Sequence, residues 1–122
     1  MSYTYTSERI FTLWHYTAAH GSVLLLRAKP DATDPRVDLY FQDVRVFLLE
    51  PINRGISIRP ATPSEEQQIA DLSGLDIDPA NHVHAVGDRL MRGFIVGGPL
   101  QRHEDFREYD EPSHFGPIPG TP

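Results

Sequence analysis

Residues 36–50, RVDLYFQDVRVFLLE, constrain the fold more than any other part of the chain. Apolar and polar residues alternate through the first half, and the alternation resumes one residue out of phase after Gln42 and Asp43. The apolar positions are Val37, Leu39, Phe41, Val44, Val46 and Leu48. A period of two is typical of strands, and a slip of one residue indicates a bulge or a turn. Because Gln-Asp is poor chemistry for a two-residue hairpin loop, we predict a bulge or a corner where the chain bends between two sheets.

Two further strands precede this run. Residues 8–17 and 22–29 are rich in aromatic and branched side chains, and Gly21 between them supplies a positive φ for a tight turn. The turn geometry predicts that Trp14 faces Arg27 across the hairpin. Such a pair makes a cation–π contact worth about 0.5–1 kcal/mol when exposed.

His15 and His20 raise the alternative that this hairpin holds a metal or proton-transfer site. His15 lies in the predicted strand, opposite Leu26 in the expected register, whereas His20 lies in the turn. The two imidazoles therefore sit on different faces or levels, and a metal site would need a third ligand. We interpret both histidines as structural.

One short helix is predicted at about residues 64–73. Ser64 is a good N-cap, Gln67 completes a capping box, and Gly74 ends the helix. The residues of its apolar stripe are Ile69 and Leu72.

The remaining pattern predicts short strands at residues 55–60, 82–88 and 89–98. Gly93 and Gly97 in the last of these indicate a bulge or a close approach of backbones. About seven strands and one helix predict a mainly β fold, an antiparallel β-sandwich or a half-open barrel. The expected core residues are Phe11, Leu13, Trp14, Val23, Leu25, Leu39, Phe41, Val46, Leu48, Ile58, Phe94 and Val96.

The 122 residues are expected to form one domain. We assign residues 1–100 to a single β domain and residues 101–122 to an acidic, proline-rich C-terminal tail, and we expect no regular structure at residues 111–122.

Composition argues against several classes of function. The net charge is −6 and no basic stripe is present, which disfavours binding of nucleic acid. The chain has no cysteine, so it has no disulfides and no cysteine-bound zinc. Neither a signal-peptide pattern nor a long apolar run is found. These observations predict a soluble cytoplasmic protein without a membrane partner.

The familiar catalytic motifs are absent from the sequence: GxGxxG, the P-loop, GxSxG and HExxH. Asp38 alternates with Val37 and Leu39, so we expect it to face solvent and not to take part in paired-carboxylate catalysis. The prediction is therefore that the protein is not an enzyme and has no cofactor and no catalytic residues.

The main alternative to a non-enzymatic protein is a metal site that includes His82 and His84. H-x-H on a strand points both imidazoles to one face and resembles the first ligand pair of the cupins, which are small double-sheet barrels. The resemblance implies a metal-binding enzyme in which His103 is the further histidine ligand. Asp88 and Arg89 stand where the glutamate of the cupin motif would be. The other interpretation is a solvent-facing pair without metal. A barrel that binds a small apolar ligand is a third alternative.

Residues 101–115 of the tail interleave acidic residues with aromatic ones. Residues 101–122 hold two basic and five acidic side chains, so they carry −3 of the net charge of −6. Acidic segments with spaced aromatics can dock on a basic, apolar groove as they become ordered. We predict that this tail is free in the monomer and contacts another, basic protein. The candidate contact residues are Glu104, Asp105, Phe106, Glu108, Tyr109, Asp110 and Phe115.

A pattern W-x-Y…H…LLLR followed by R-x-D-x-x-F runs through the first half of the chain. Its positions are Trp14, Tyr16, His20, residues 24–27, Arg36, Asp38 and Phe41. Over residues 10–60 the chain resembles a loose group of small bacterial all-β proteins that have no assigned activity. Some similar small acidic proteins are immunity partners of secreted bacterial toxins. The resemblance implies an all-β fold and a protein-binding role, either immunity-like or as an assembly partner.

Overall fold

The computed structural model describes residues 3–18 and 21–115, which form eight strands and one helix. In chain order these are β1 (Tyr5–Thr17), β2 (Val23–Ala28), β3 (Arg36–Phe41), β4 (Val46–Leu48), β5 (Ile52–Pro60), α1 (Pro63–Ser73), β6 (His82–Val86), β7 (Gly93–Gly97) and β8 (Gln101–Asp105). The strands pair antiparallel in one sheet of order β4-β7-β6-β5-β1-β2-β3-β8. The predicted mainly antiparallel β fold with one short helix is confirmed, with eight strands instead of about seven.

The sheet curls strongly without closing into a barrel. Phe41 on β3 and His84 on β6 are four positions apart in the sheet order, yet their ring centroids are 5.1 Å apart. Tyr16 on β1 and Phe47 on β4 are equally far apart in the order and 4.9 Å apart in space. In a flat sheet that separation would be about 19 Å, because neighbouring strands lie about 4.8 Å apart. Of the two predicted architectures, the β-sandwich and the half-open barrel, the sheet therefore corresponds to the half-open one.

Most of the core fills the concave side of this sheet. Its buried residues are Phe11, Leu24, Leu26, Ala28, Val37, Leu39, Phe41, Val44, Ile56, Ile58, Val86 and Ile95. The outer face carries two smaller clusters, one around Leu25 and Tyr40 and one around Ile69 and Phe94. The prediction that Leu48 belongs to the core is wrong, since this edge-strand side chain is 50% exposed.

A bulge in β1 decides how the first hairpin is paired. Leu13 pairs with Leu26 but His15 pairs with Leu25, so Trp14 is the extra residue. The expected pairing of His15 with Leu26 is therefore wrong by one residue. The bulge turns Trp14 to the outer face, where Arg27 of β2 lies 4.9 Å from its ring centroid. The predicted cation–π contact thus forms in a different register. The predicted turn residue His20 lies outside the described residues.

The phase slip after Phe41 is a corner, as predicted, but it joins two strands of one sheet and not two sheets. Asp43 has a φ of 53°, its N–H donates to the Gly21 carbonyl at 2.7 Å, and the chain then crosses from β3 to β4, which lies at the other end of the sheet. The corner lies directly against Gly97, where a Cβ would come within 2.9 Å of the Val44 Cα. The close backbone approach expected at Gly97 is therefore present.

Helix α1 begins one residue earlier than expected. Thr62 is the N-cap and forms the capping box with Glu65, so the predicted box of Ser64 and Gln67 is wrong by two residues. Gly74 ends the helix in the left-handed conformation, as predicted.

The helix buries Ile69 against Phe94 and Val96 on the outer face of β7. Leu72 is 70% exposed, so the predicted stripe contributes one buried residue and not two.

The sheet continues past residue 100, where the tail was expected to begin. Strand β8 pairs with β3 along its full length, from Gln101 opposite Tyr40 to Asp105 opposite Arg36. Residues 106–115 then fold back over the outer face of the sheet. The prediction that residues 101–115 are free is therefore wrong, whereas residues 111–115 contain no helix or strand, as expected. Residues 116–122 of the predicted tail lie outside the described residues.

The described part of the chain contains no helix with the length and apolarity needed to cross a bilayer.

Candidate protein-binding site

Two buried arginines lie side by side on the outer face of the sheet. Arg27 of β2 and Arg36 of β3 are each 1% exposed. Arg27 donates Nε–H to Asp38 at 2.7 Å and a terminal N–H to the other carboxylate oxygen at 3.1 Å. Arg36 binds both oxygens of Asp105 in the same way, at 3.1 and 3.2 Å. Bidentate pairs of this kind fix the planes of both groups. We call Arg27, Arg36, Asp38 and Asp105 the arginine clamp.

The remaining arginine donors hold the backbone of the C-terminal segment. Arg27 donates to the carbonyls of residues 109 and 111 at 2.7 and 3.1 Å. Arg36 donates to those of residues 108, 111 and 112 at 2.9, 2.7 and 3.1 Å. The carbonyl of Glu111 is thus shared by both guanidinium groups. Because these bonds reach only backbone oxygens, the clamp fixes the course of the segment and leaves its side chains free to vary.

Asp38 corrects the sequence-based expectation most directly. Because its side chain points to the face opposite that of Val37 and Leu39, it was expected to be a solvated carboxylate. It is instead 1% exposed and paired with Arg27. The alternation identified the face correctly. That face is covered by residues 106–115, for which the alternation of β3 gives no sign.

Asp105 was predicted to contact a partner, but it belongs to the clamp. Partial burial acts to raise the pKa of Asp105, and the hydrogen bond from Arg36, together with the Arg107 N–H, outweighs it. The net result is a lowered pKa, so the carboxylate stays charged and its interaction with Arg36 persists in mildly acidic solution.

Aromatic stacking holds the segment at two further points. Tyr109 packs on Trp14 with ring centroids 4.7 Å apart, on the ring that also contacts Arg27. Phe115 stacks on Tyr40 at 4.4 Å with ring planes 4° apart. Tyr109 and Phe115 were predicted to be free interface anchors. They are half-buried instead, and what they anchor is this chain's own C-terminal segment.

The exposed side chains of residues 104–111 belong to one phenylalanine, four acidic residues and Arg107. Phe106 is 70% exposed, whereas the other aromatic residues of the segment, Tyr109 and Phe115, are half-buried. The exposed acidic residues near it in the chain are Glu104, Glu108, Asp110 and Glu111. Of the seven predicted contact residues, Phe106, Glu104, Glu108 and Asp110 therefore remain available to a partner. We call residues 106–111 the display loop.

The histidines of the cupin-like alternative are not brought together. His84 lies inside the curl with its ring 6.0 Å from that of His82, whereas His103 lies on the outer face of β8, stacked on His114 at 3.8 Å. Within residues 3–18 and 21–115, no three histidine, aspartate or glutamate side chains are arranged to hold a metal ion. The His82, His84 and His103 set is therefore wrong as a ligand group.

His84 has a structural role instead. It is fully buried, its Nε2–H donates to the Gly98 carbonyl at 2.8 Å, and Nδ1 accepts from the Tyr3 hydroxyl. Burial lowers the pKa of His84, and nearby His82 lowers it further, against the opposing effect of the Gly98 carbonyl. The ring is thus neutral and both nitrogens are occupied, which leaves no lone pair for a metal.

The concave side is where the third alternative would place an apolar ligand. It is filled by the core side chains, including Phe11, Phe41 and the leucines of β2 and β3. A cleft of about 320 Å³ lies elsewhere, between β5 and the β6–β7 turn. Its lining includes Ile52, Arg54 and Arg92 and lacks aromatic side chains.

Sequence reasoning found the residues of the clamp but not their association. Arg27, Arg36 and Asp38 belong to the pattern LLLR followed by R-x-D-x-x-F, and Asp105 belongs to the acidic and aromatic residues 101–115. The available signal was the placement of three charged residues at positions that alternate with core residues in β2 and β3. No protein-family model, no curated protein and no solved structure matches this chain.

Proposed function

We propose that this chain is a non-enzymatic protein-binding module that holds the display loop ready for a basic partner. The observation that carries the proposal is that Phe106 is exposed just before a stretch of backbone, residues 108–112, that buried arginines fix with five hydrogen bonds. Phe106 would be the apolar anchor, and aromatic residues are common in the buried centres of interfaces.

The fixed backbone favours binding. A segment that is disordered before binding must lose conformational entropy when the complex forms, which weakens the complex. The clamp has already fixed residues 108–112, so that cost is included in the folding of this chain. The acidic side chains around Phe106 would speed encounter with a basic surface.

The buried polar groups of the described chain support a binding role over a catalytic one. Asp38, Arg27 and Arg36 are enclosed by their own hydrogen bonds, and His84 uses both ring nitrogens. The proposed setting is the bacterial cytoplasm, and the proposed class is an immunity-like protein or an assembly partner.

Affinity capture from a lysate of the source organism tests this function. The bait is the full chain, compared with Phe106→Ala and with Leu90→Ala as a matched control, because Leu90 is 79% exposed on the β6–β7 turn. We expect the wild type and Leu90→Ala to retain the same partner and Phe106→Ala to lose it. Purified partner should then associate more slowly as salt rises. Equal capture by all three baits would refute the display loop as the contact.

A further inference from the structure

Strand β8 is an edge of the sheet with a row of backbone groups available for pairing. Among the described residues it has a hydrogen-bonded strand neighbour on one side only, which is β3. The strand is held in place by the contact of Asp105 with Arg36 of β3 and by the stack of His103 on His114 of the C-terminal segment. An ordered, extended edge of five residues is a template on which another strand can add.

The sequence of this edge, Gln-Arg-His-Glu-Asp, is complementary to itself. When two copies pair antiparallel about a two-fold axis at His103, Arg102 of each copy stands opposite Glu104 of the other. Gln101 likewise stands opposite Asp105. Directly opposed side chains have Cβ atoms about 4.5–5.5 Å apart, which is within reach of an ion pair.

The neighbouring symmetric registers are disfavoured by charge. The two-fold axis is perpendicular to the sheet, so two directly opposed residues must lie on the same face. The axis can therefore pass only through a residue position, and a change of register moves it to another residue. A centre at Arg102 opposes two arginines, and a centre at Glu104 opposes two glutamates, which repel at this distance. Charged edges resist pairing with most strands, and here the same charges select one partner and one register.

Both side chains are available for this pairing. Arg102 and Glu104 are 57% and 46% exposed, and their contact with each other along the strand is 4.0 Å long. The Arg102 guanidinium lies over the ring of Tyr5 at 5.5 Å, a contact that solvent weakens. We propose that β8 pairs with β8 of a second copy of this chain, forming a two-fold symmetric dimer with a continuous sheet across the interface. This inference goes beyond the proposed function and does not use Phe106.

Charge-reversal variants test the pairing by sedimentation equilibrium over a concentration series. The wild type should show a mass that approaches twice the chain mass of 13.8 kDa, with association weakened by salt. Arg102→Glu and Glu104→Arg should each weaken association by about tenfold or more, because each opposes like charges twice. The control is Arg89→Glu, which makes the same charge change on the exposed β6–β7 turn and should dimerise as the wild type does.

A mixture of the two single variants gives the decisive result. One copy then carries acidic residues at both positions and the other carries basic ones, so the mixed dimer restores both ion pairs. We expect association in the mixture and in the Arg102→Glu/Glu104→Arg double variant. A wild type that stays monomeric at every concentration overturns the proposal. So does a mixture that associates no better than the single variants, while near-ultraviolet circular dichroism shows that both remain folded. Neither result bears on capture through Phe106.

Discussion

At the scale of single residues, the stability of the outer face depends on charges that are completely hydrogen-bonded. Arg27 makes four hydrogen bonds and Arg36 makes five, although both side chains are removed from water. A buried ion pair costs desolvation free energy, which good geometry and additional hydrogen bonds offset. Losing one member is therefore much more harmful than losing a surface pair.

Asp38→Asn tests this view. The amide keeps the shape of the carboxylate but removes the charge that compensates buried Arg27, so we expect the free energy of unfolding to fall by about 3 kcal/mol. Urea denaturation measures it. Asp76→Asn, the same change at an exposed loop position, should alter stability by no more than about 0.5 kcal/mol. A loss at Asp38 as small as that at Asp76 would show that the pair does not stabilise the fold.

The same residues show how far sequence reasoning reaches. The contact of Trp14 with Arg27 was predicted, and it forms although the bulge changes the register. The burial of Asp38 was missed because alternation along a strand identifies faces and not what covers them. The cover is residues 106–115, more than 60 positions away in the chain and without periodicity of their own.

At the scale of elements, helix α1 is joined to the sheet by an ion pair as well as by its apolar face. Arg59 of β5 binds both oxygens of Glu65 at 2.7 and 2.8 Å, and Glu65 also accepts from the backbone N–H of Thr62 in the capping box. The hydrogen bond from Arg59 is the main cause that lowers the pKa of Glu65 to about 2. The helix itself was predicted from its composition, but its start was displaced because Thr62 and Ser64 are both acceptable caps.

The stability contributed by Glu65 should depend on pH in a defined window. A carboxylate whose pKa is lower in the folded state stabilises the fold above its ordinary pKa near 4.5, and this stabilisation is lost as the pH falls toward about 2. Glu65→Gln should therefore be less stable than the wild type at pH 7, with a difference that vanishes toward pH 2. Thermal unfolding across this range measures it.

Glu66→Gln is the control for that experiment, because Glu66 lies in the same helical turn and forms no ion pair with any of the described residues. Its difference from the wild type at pH 7 should be smaller than that of Glu65→Gln. A Glu65→Gln variant with the same stability deficit at pH 2 and pH 7 would contradict the assignment.

At the scale of the whole molecule, the chain is a curled eight-stranded sheet with additional cover on its outer face. Helix α1 covers β7 at one place and the C-terminal segment covers β2 and β3 at another. The antiparallel β architecture was predictable, since alternation and turn residues depend on local sequence. The order of the strands and the place of residues 106–115 depend on long-range contacts, which no local pattern specifies.

Backbone order parameters from ¹⁵N relaxation test most directly whether the C-terminal segment is part of the fold. We predict values of about 0.85 at the non-proline residues of 108–115, equal to those in β2 and β3, because the clamp and the two aromatic stacks fix this backbone. Asp38→Asn should lower them selectively at residues 109 and 111, whose carbonyls Arg27 holds. Values below about 0.6 throughout residues 106–115 of the wild type would show a free tail and would contradict the arginine clamp.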